Sequence, residues 1–187
     1  GAMIPSDEQQ QLLRLARETL VAHLGGGPKP QPVHLAHPDQ HSGAFVTLHR
    51  RGQLRGCIGY IRAVRPLRRT VAEMAVQAAL HDPRFEPVTL AELSDIDIEI
   101  SVLSPLEEVA DVAEIEVGRH GLIVQEGSRS GLLLPQVATE QGWDRETFLD
   151  HTCLKAGLPA GSWRREGVVI LRFTAEVFGE RDEGGGD

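Results

Sequence analysis

Apolar residues recur along this chain of 187 residues with two periods, and each change of period marks a new element. Leu13, Ala16, Leu20 and Leu24 fall three or four apart, on one helical face, so the spacing predicts a first helix over 7–24. Ser6 and Gln9 stand at capping-box spacing before it, and Gly25-Gly26-Gly27 ends it. Pro28, Pro30 and Pro32 hold the next stretch extended, as a surface connection. Two short strand-like runs, 43–50 and 54–60, flank Arg51-Gly52 and predict a hairpin. Pro66 suits the first turn of a second helix whose buried stripe is Leu67, Val71, Met74 and Ala78, and His81-Asp82-Pro83 stops it.

Thr89 and Glu92 predict a short capped turn. Strict alternation follows: Ile96, Ile98, Ile100 and Val102 face one way, Asp97, Glu99 and Ser101 the other, as in a half-buried strand. Runs at 120–126 and 132–134 around residues 127–131 predict another hairpin. Asp144 can cap a helix carrying Phe148 and Leu149 that Gly157 closes. Residues 169–177 read as a last strand, and the Gly-rich acidic segment over 180–187 as a loose tail. Strands joined mostly by hairpins, with helices between, predict an α+β fold with a largely antiparallel sheet and flanking helices.

Composition narrows the function classes. Asp and Glu number 27 against 19 Lys and Arg, a net charge of −8, which disfavours nucleic-acid and membrane-surface binding. No apolar run approaches the roughly 20 residues of a membrane helix. Gly1-Ala2-Met3 reads as a cleavage scar before a native start at Met3. No basic-then-apolar leader follows it, so a cytoplasmic location is expected. Cys57 and Cys153 are too few and too far apart for a disulfide framework or a structural zinc site. His34, His37 and His41 have metal-like spacing, but only Asp39 accompanies them in a Pro-rich loop, so no metal is expected. No nucleotide fingerprint is present, and no cofactor is expected.

One segment stands apart. Leu54-Arg55-Gly56-Cys57-Ile58-Gly59-Tyr60 sets two glycines around a cysteine inside a strand, where bare backbone admits a close approach. Arg55 beside it offers a fixed positive fork for a carboxylate or phosphate. This run resembles the hallmark Leu-Arg-Gly-Cys-Ile-Gly of the AMMECR-one family, with Tyr60 where relatives commonly carry an aliphatic or Thr-type residue. Asp82-Pro83-Arg84-Phe85, the strand 97–104, Arg119-His120-Gly121-Leu122, residues 131–137, Phe148-Leu149, residues 153–158 and Trp163 match in order, so the resemblance covers about 8–179. It implies a single domain, 7–179, built as a two-lobed fold with the motif residues at a cleft between the lobes. It also implies association with the AmmeMemoRadiSam system, whose protein A occurs beside, or fused to, a Memo-like protein and beside a radical-SAM protein. That association suggests a step in a shared pathway or a helper role.

Each candidate residue has a structural alternative. Cys57 is a candidate nucleophile, with Arg55 at i−2 on the same strand face, or a small residue packed in a strand. Lys155 is one of two lysines against 17 arginines and shares a helix face with His151, which suggests a wanted amine or a favourable charge at a helix end. His120 is a candidate general base or a packed histidine. The expected ligand-binding set is Arg55, Gly56, Gly59, Asp82, Arg84, Gln136 and Cys153. Asp82 could orient Arg84 or hold a turn, and Gln136 could serve a ligand or a helix start. Seven arginines in 50–69 against ten acids in 85–118 could dock an acidic partner, or belong to charged faces that attract each other. No nucleophile, base and orienter stand at a readable triad spacing, so the residues name no reaction. Two functions are expected: an enzyme or enzyme subunit holding a small anionic metabolite between the lobes, or a non-catalytic adaptor for a Memo-like or radical-SAM partner.

Overall fold

The computed structural model describes residues 4–184. The chain divides into two compact units, one of residues up to 103 with those from 176 onward, the other of residues 104–175. The first contains helix α1 (Ser6–Gly25), strands β1 (Ala44–Arg50) and β2 (Gln53–Tyr60), helix α2 (Leu67–Leu80), a 3-10 turn (Leu90–Asp95) and strand β3 (Ile96–Leu103). Strand β1 lies between β2 and β3, antiparallel to both. Leu12, Leu13, Ala16 and Leu20 of α1 pack with Leu67, Val71, Met74 and Ala78 of α2 against Val46, Leu48, Ile98 and Ile100, the core of this unit. The helical stripes and the isoleucine alternation thus point where their periods placed them.

The second unit holds strand β4 (Glu107–Glu108), strands β5 (His120–Glu126) and β6 (Arg129–Leu133), helices α3 (Pro135–Gln141) and α4 (Arg145–Lys155), and the larger part of strand β7 (Val169–Gly179). β5 pairs antiparallel with both β6 and β7. Phe148 and Leu149 of α4 pack with Leu122, Ile115 and Ile170. Asp144 caps α4 by accepting the Thr147 N–H at 2.8 Å, as the sequence predicts.

Local details correct several expectations. Ser6 lies inside α1 with Pro5 as N-cap, and no capping box forms. The Gln9 side chain instead donates to the Ile4 carbonyl and to Glu176, which also accepts the Ile4 N–H. The second hairpin turns on two residues, Gly127 and Ser128, rather than five. Residues 180–184 form a 3-10 turn where a loose tail was expected. Glu180 fixes it, accepting Arg17 Nε at 2.6 Å and the Ile98 N–H at 2.7 Å. Residues 1–3, read as a scar, and 185–187 lie outside the described residues. Among the described residues no helix is long and apolar enough to cross a membrane, and no group of three His, Cys, Asp or Glu could hold a metal ion.

Arg51 (φ 53°) and Gly52 (φ 79°) both take positive φ, as the tight β1–β2 turn demands. Beyond the turn the register slips once. His49 faces Leu54 but Leu48 faces Gly56, so Arg55 is the extra residue of a β-bulge. Gly56 is needed for a different reason: a Cβ there would stand 2.2 Å from the Ala78 carbonyl oxygen of α2. Gly56→Ala should therefore cost about 3 kcal/mol by forcing α2 off the sheet. Gly52→Ala, at an open position, should cost about 1 kcal/mol through its positive φ. Urea unfolding of both variants measures the contrast, and equal costs would contradict the packing account.

Candidate functional site

The Cys57 amide turns away from β1: it donates to Asp82 Oδ2 at 2.9 Å. On the other side of β1, Leu103 N–H donates to the Gly43 carbonyl at 3.0 Å, so odd-numbered residues of this strand hydrogen-bond toward β3. Antiparallel partners alternate between bonded and non-bonded pairs, which makes Thr47–Cys57 a non-bonded pair with its side chains close. Their Oγ1 and Sγ lie 3.2 Å apart. Thr47 faces Glu99 on β3, so thiol, hydroxyl and carboxylate form one row across three strands. This row lies on the face opposite α1 and α2, where Thr47 is buried and Cys57 and Glu99 half-buried.

Asp82 follows the end of α2 and is 4% exposed. Its carboxylate accepts four hydrogen bonds, from the main-chain N–H of Cys57 and Arg84 and from Arg84 Nε (3.0 Å) and Nη2 (2.8 Å). These bonds, Arg84's side chain foremost, outweigh burial and hold the Asp82 carboxyl far below the usual carboxylate range. Both roles considered for Asp82, orienting Arg84 and holding a turn, are thus filled together. The Arg84 side chain is 54% exposed, and its guanidinium lies 5.4 Å from the centre of the Phe85 ring. Only its Nε–Nη2 edge meets Asp82, so the Nη1–Nη2 edge has no partner among the described residues. Burial pushes the Cys57 thiol up, against the Thr47 hydrogen bond and the Arg84 charge; Asp82 and Glu99 push it the same way as burial.

Other expected site residues are engaged elsewhere. Arg55, displaced by the bulge from a simple i, i+2 relation with Cys57, donates to both Glu92 oxygens and to the Glu86 and Pro87 carbonyls. Glu92 also accepts Arg50 and the Thr89 N–H, closing the predicted capped turn. The close approaches at Gly56 and Gly59 are made by the protein: by α2 at Gly56, and by the Phe45 ring, 2.2 Å from where a Gly59 Cβ would stand.

In the second unit, Lys155 is exposed at the end of α4, and the His151 ring stacks on Trp143 at 3.9 Å. Cys153 is fully buried beside Val124, Ala156 and Leu158. His120 is buried, and its Nδ1 accepts the Glu116 N–H at 2.9 Å. Burial, with Arg172 and Arg119, lowers its pKa and favours the neutral ring. Gln136 lies in the first turn of α3, with its carbonyl accepting the Thr139 hydroxyl. Two open surface depressions, of about 470 and 510 Å³, are lined by residues 36–40 and by 113–117 with Asp144 and Arg145. Neither includes the Cys57 group.

The sequence reading missed Thr47 and Glu99. Counting back from the Arg51-Gly52 turn sets Thr47 opposite Gly56, and only the bulge at Arg55 moves it onto Cys57.

The AMMECR1 family model matches residues 13–178 of this chain. A protein of Methanothermobacter thermautotrophicus is 48% identical over 189 residues, covering 96% of this chain and 97% of its own. Protein PH0010 of Pyrococcus horikoshii is 44% identical over 181 residues, covering 90% of this chain and 88% of its own. The crystal structure of PH0010 superposes with a TM-score of 0.89 at 41% identity, over 95% of this chain and 93% of that one. An α+β architecture of antiparallel strands with flanking helices is therefore shared with a solved relative.

Two outcomes test the site. Because the folded state holds Asp82 ionised, its contribution is full above the unfolded carboxyl value of about 3.9 and fades as pH falls below it. Asp82→Asn should cost about 2 kcal/mol at pH 7 and distinctly less near pH 3, measured by denaturant unfolding. A gap that is constant with pH would exclude ionisation as its source. Cys57 alkylation by iodoacetamide, followed by peptide mass spectrometry, should rise with an apparent pKa above the roughly 8.5 of a free thiol. Fast modification that levels off below pH 7 would mean an activated thiolate instead.

Proposed function

The chain belongs to the AMMECR1 family, and we propose that it binds a small anionic metabolite, through a carboxylate, at the outer edge of Arg84 beside Cys57. One observation carries the reading. A buried carboxylate locks one edge of a half-exposed guanidinium and leaves the Nη1–Nη2 edge presented to solvent next to a thiol. Arginine held this way is pre-oriented for a second, bidentate carboxylate, so little side-chain entropy is lost on binding.

Cys57 rests as a thiol, because burial favours its neutral form. A covalent role would begin only when a bound ligand, or a group it brings, takes the proton from Sγ. The protein then acts as an enzyme or enzyme subunit, and the AmmeMemoRadiSam association that the motifs imply gives it Memo-like and radical-SAM proteins as companions. A second reading, an adaptor for such a companion, has its own support. The main-chain groups of Gly59 point away from β1, by the same alternation as Cys57, beside exposed Tyr60 and Arg62 and a Val64 that is 52% exposed.

Isothermal titration of a panel of small mono- and dicarboxylates against the wild type and Arg84→Gln tests the first reading. At least one member should bind the wild type and lose about ten-fold or more in affinity in the variant, the worth of a charge-assisted pair. Wild-type binding that survives Arg84→Gln would overturn the Arg84 site. No binding by any carboxylate would move the function to the adaptor.

A further inference from the structure

The outer edge of β2 is open over a short length and closed at one end. Cys57 and Gly59 direct their main-chain groups away from β1, and the Gly59 N–H and carbonyl have no hydrogen-bond partner among the described residues. At Cys57 the place of a further strand is taken, because Asp82 Oδ2 accepts its N–H at 2.9 Å. A strand added here can pair with Gly59 but has to end before it passes Cys57. β2 itself stops at Tyr60, so the open stretch is Ile58, Gly59 and Tyr60. The charge at the closed end decides which terminus fits there. The same Oδ2 accepts Arg84 Nη2 at 2.8 Å, so the guanidinium lies one carboxylate oxygen away from the strand edge. An ammonium would meet the arginine's charge and a carboxylate whose hydrogen bonds are already made. A carboxylate would meet the free Nη1–Nη2 edge.

We infer that the acid bound at Arg84 is a short peptide, laid antiparallel along Ile58–Tyr60 as an added strand, with its C-terminal carboxylate on the free edge of Arg84. This rests on the Arg84 reading above and adds what holds the rest of the ligand. The penultimate residue of the peptide stands opposite Gly59 and exchanges two main-chain hydrogen bonds with it. Its N–H donates to the Gly59 carbonyl, and its carbonyl accepts the Gly59 N–H. Its side chain falls on the face of the sheet that carries the Cys57 thiol, and those of its two neighbours fall on the other face, beside Ile58 and the exposed Tyr60. Recognition is thus divided between a terminus and a stretch of backbone. A plain carboxylic acid uses Arg84 and leaves the Gly59 groups to water, whereas a longer chain finds no further strand to pair with beyond Tyr60.

Acetylated tripeptides Ala-Xaa-Ala, with Xaa alanine, leucine, phenylalanine, serine or glutamate, give the test. Each is titrated calorimetrically into the full chain and into Arg84→Gln, alongside propionate, which keeps the carboxylate alone. In the wild type at least one peptide should bind about ten-fold or more tightly than propionate. Methylating the Xaa nitrogen of that peptide, which removes the donor to Gly59, should weaken it about five-fold or more. Amidating its C-terminus should weaken it about ten-fold or more in the wild type and less than about two-fold in Arg84→Gln. Peptides that bind no more tightly than propionate, with binding that still depends on Arg84, would overturn the peptide and leave the carboxylate site standing. Tight binding that is indifferent to Xaa methylation in every peptide would do the same. A gain of about ten-fold or more on lengthening the best peptide to six residues at its N-terminus would overturn the short peptide in favour of a protein's tail. Equal affinity of acid and amide forms, or no binding by any probe, would overturn both readings. Comparisons among the peptides need only the wild type, so they decide the ligand class even if Arg84→Gln fails to fold.

Discussion

One buried carboxylate organises the first unit around Cys57. A charge removed from water must be met by several donors or it does not stay charged, and Asp82 has four. Each bond has a structural consequence. The Cys57 amide receives the acceptor that a neighbouring strand would otherwise supply, so β2 can end the sheet without an orphaned donor at that point. The Arg84 amide fixes the turn after α2, and the Arg84 side chain is pinned by one edge. Glu92 and Glu180 repeat the scheme. Each accepts both arginine donors and a main-chain N–H, Thr89 for Glu92 and Ile98 for Glu180. The crowd of arginines in 50–69 is thereby explained in part, since Arg50, Arg51 and Arg55 pair with Glu92 and Asp95 of the acid-rich stretch inside one unit.

The same carboxylate shapes the chemistry open to the thiol. A cysteine beside an arginine invites the reading of an activated thiolate, yet here the arginine's charge is already answered by Asp82. Burial and two nearby carboxylates favour the protonated form, and the Thr47 hydrogen bond and Arg84 oppose them without prevailing. The thiol at rest is therefore protonated.

What the sequence made legible was local. The α2 stripe, the isoleucine alternation of β3 and the Arg51-Gly52 turn are written in residues a few positions apart, and each folds as its period requires. Cys57, Asp82 and Arg84 were recognisable because their segments are unusual in themselves. Their partners were not, because pairing across strands is non-local and turns on a single inserted residue. The bulge at Arg55 brings Thr47, and through it Glu99, to Cys57, and nothing in the spacing announces it. Arg55 itself looked like a ligand fork because Glu92, 37 positions away in sequence, could not be seen to take its donors. The capping box at Ser6 failed for a similar reason: Glu176, far along the chain, reaches the start of α1 first.

The two units, each taken alone, separate packing from function at the glycines. In the first, a helix backbone approaches Gly56 and a phenylalanine ring covers Gly59 from the opposite strand. In the second, the main chain at Ala156 approaches Gly131, and the Phe173 ring covers Gly121 from the opposite strand. A device that occurs twice, once far in sequence from any thiol–arginine group, is a solution for fitting helix to sheet and filling the gap a strand glycine leaves. The hallmark glycines are thus accounted for by packing alone. The half-exposed Arg84 side chain on the buried Asp82 carboxylate and the half-buried Cys57 thiol stand outside that account, because neither glycine contact involves them.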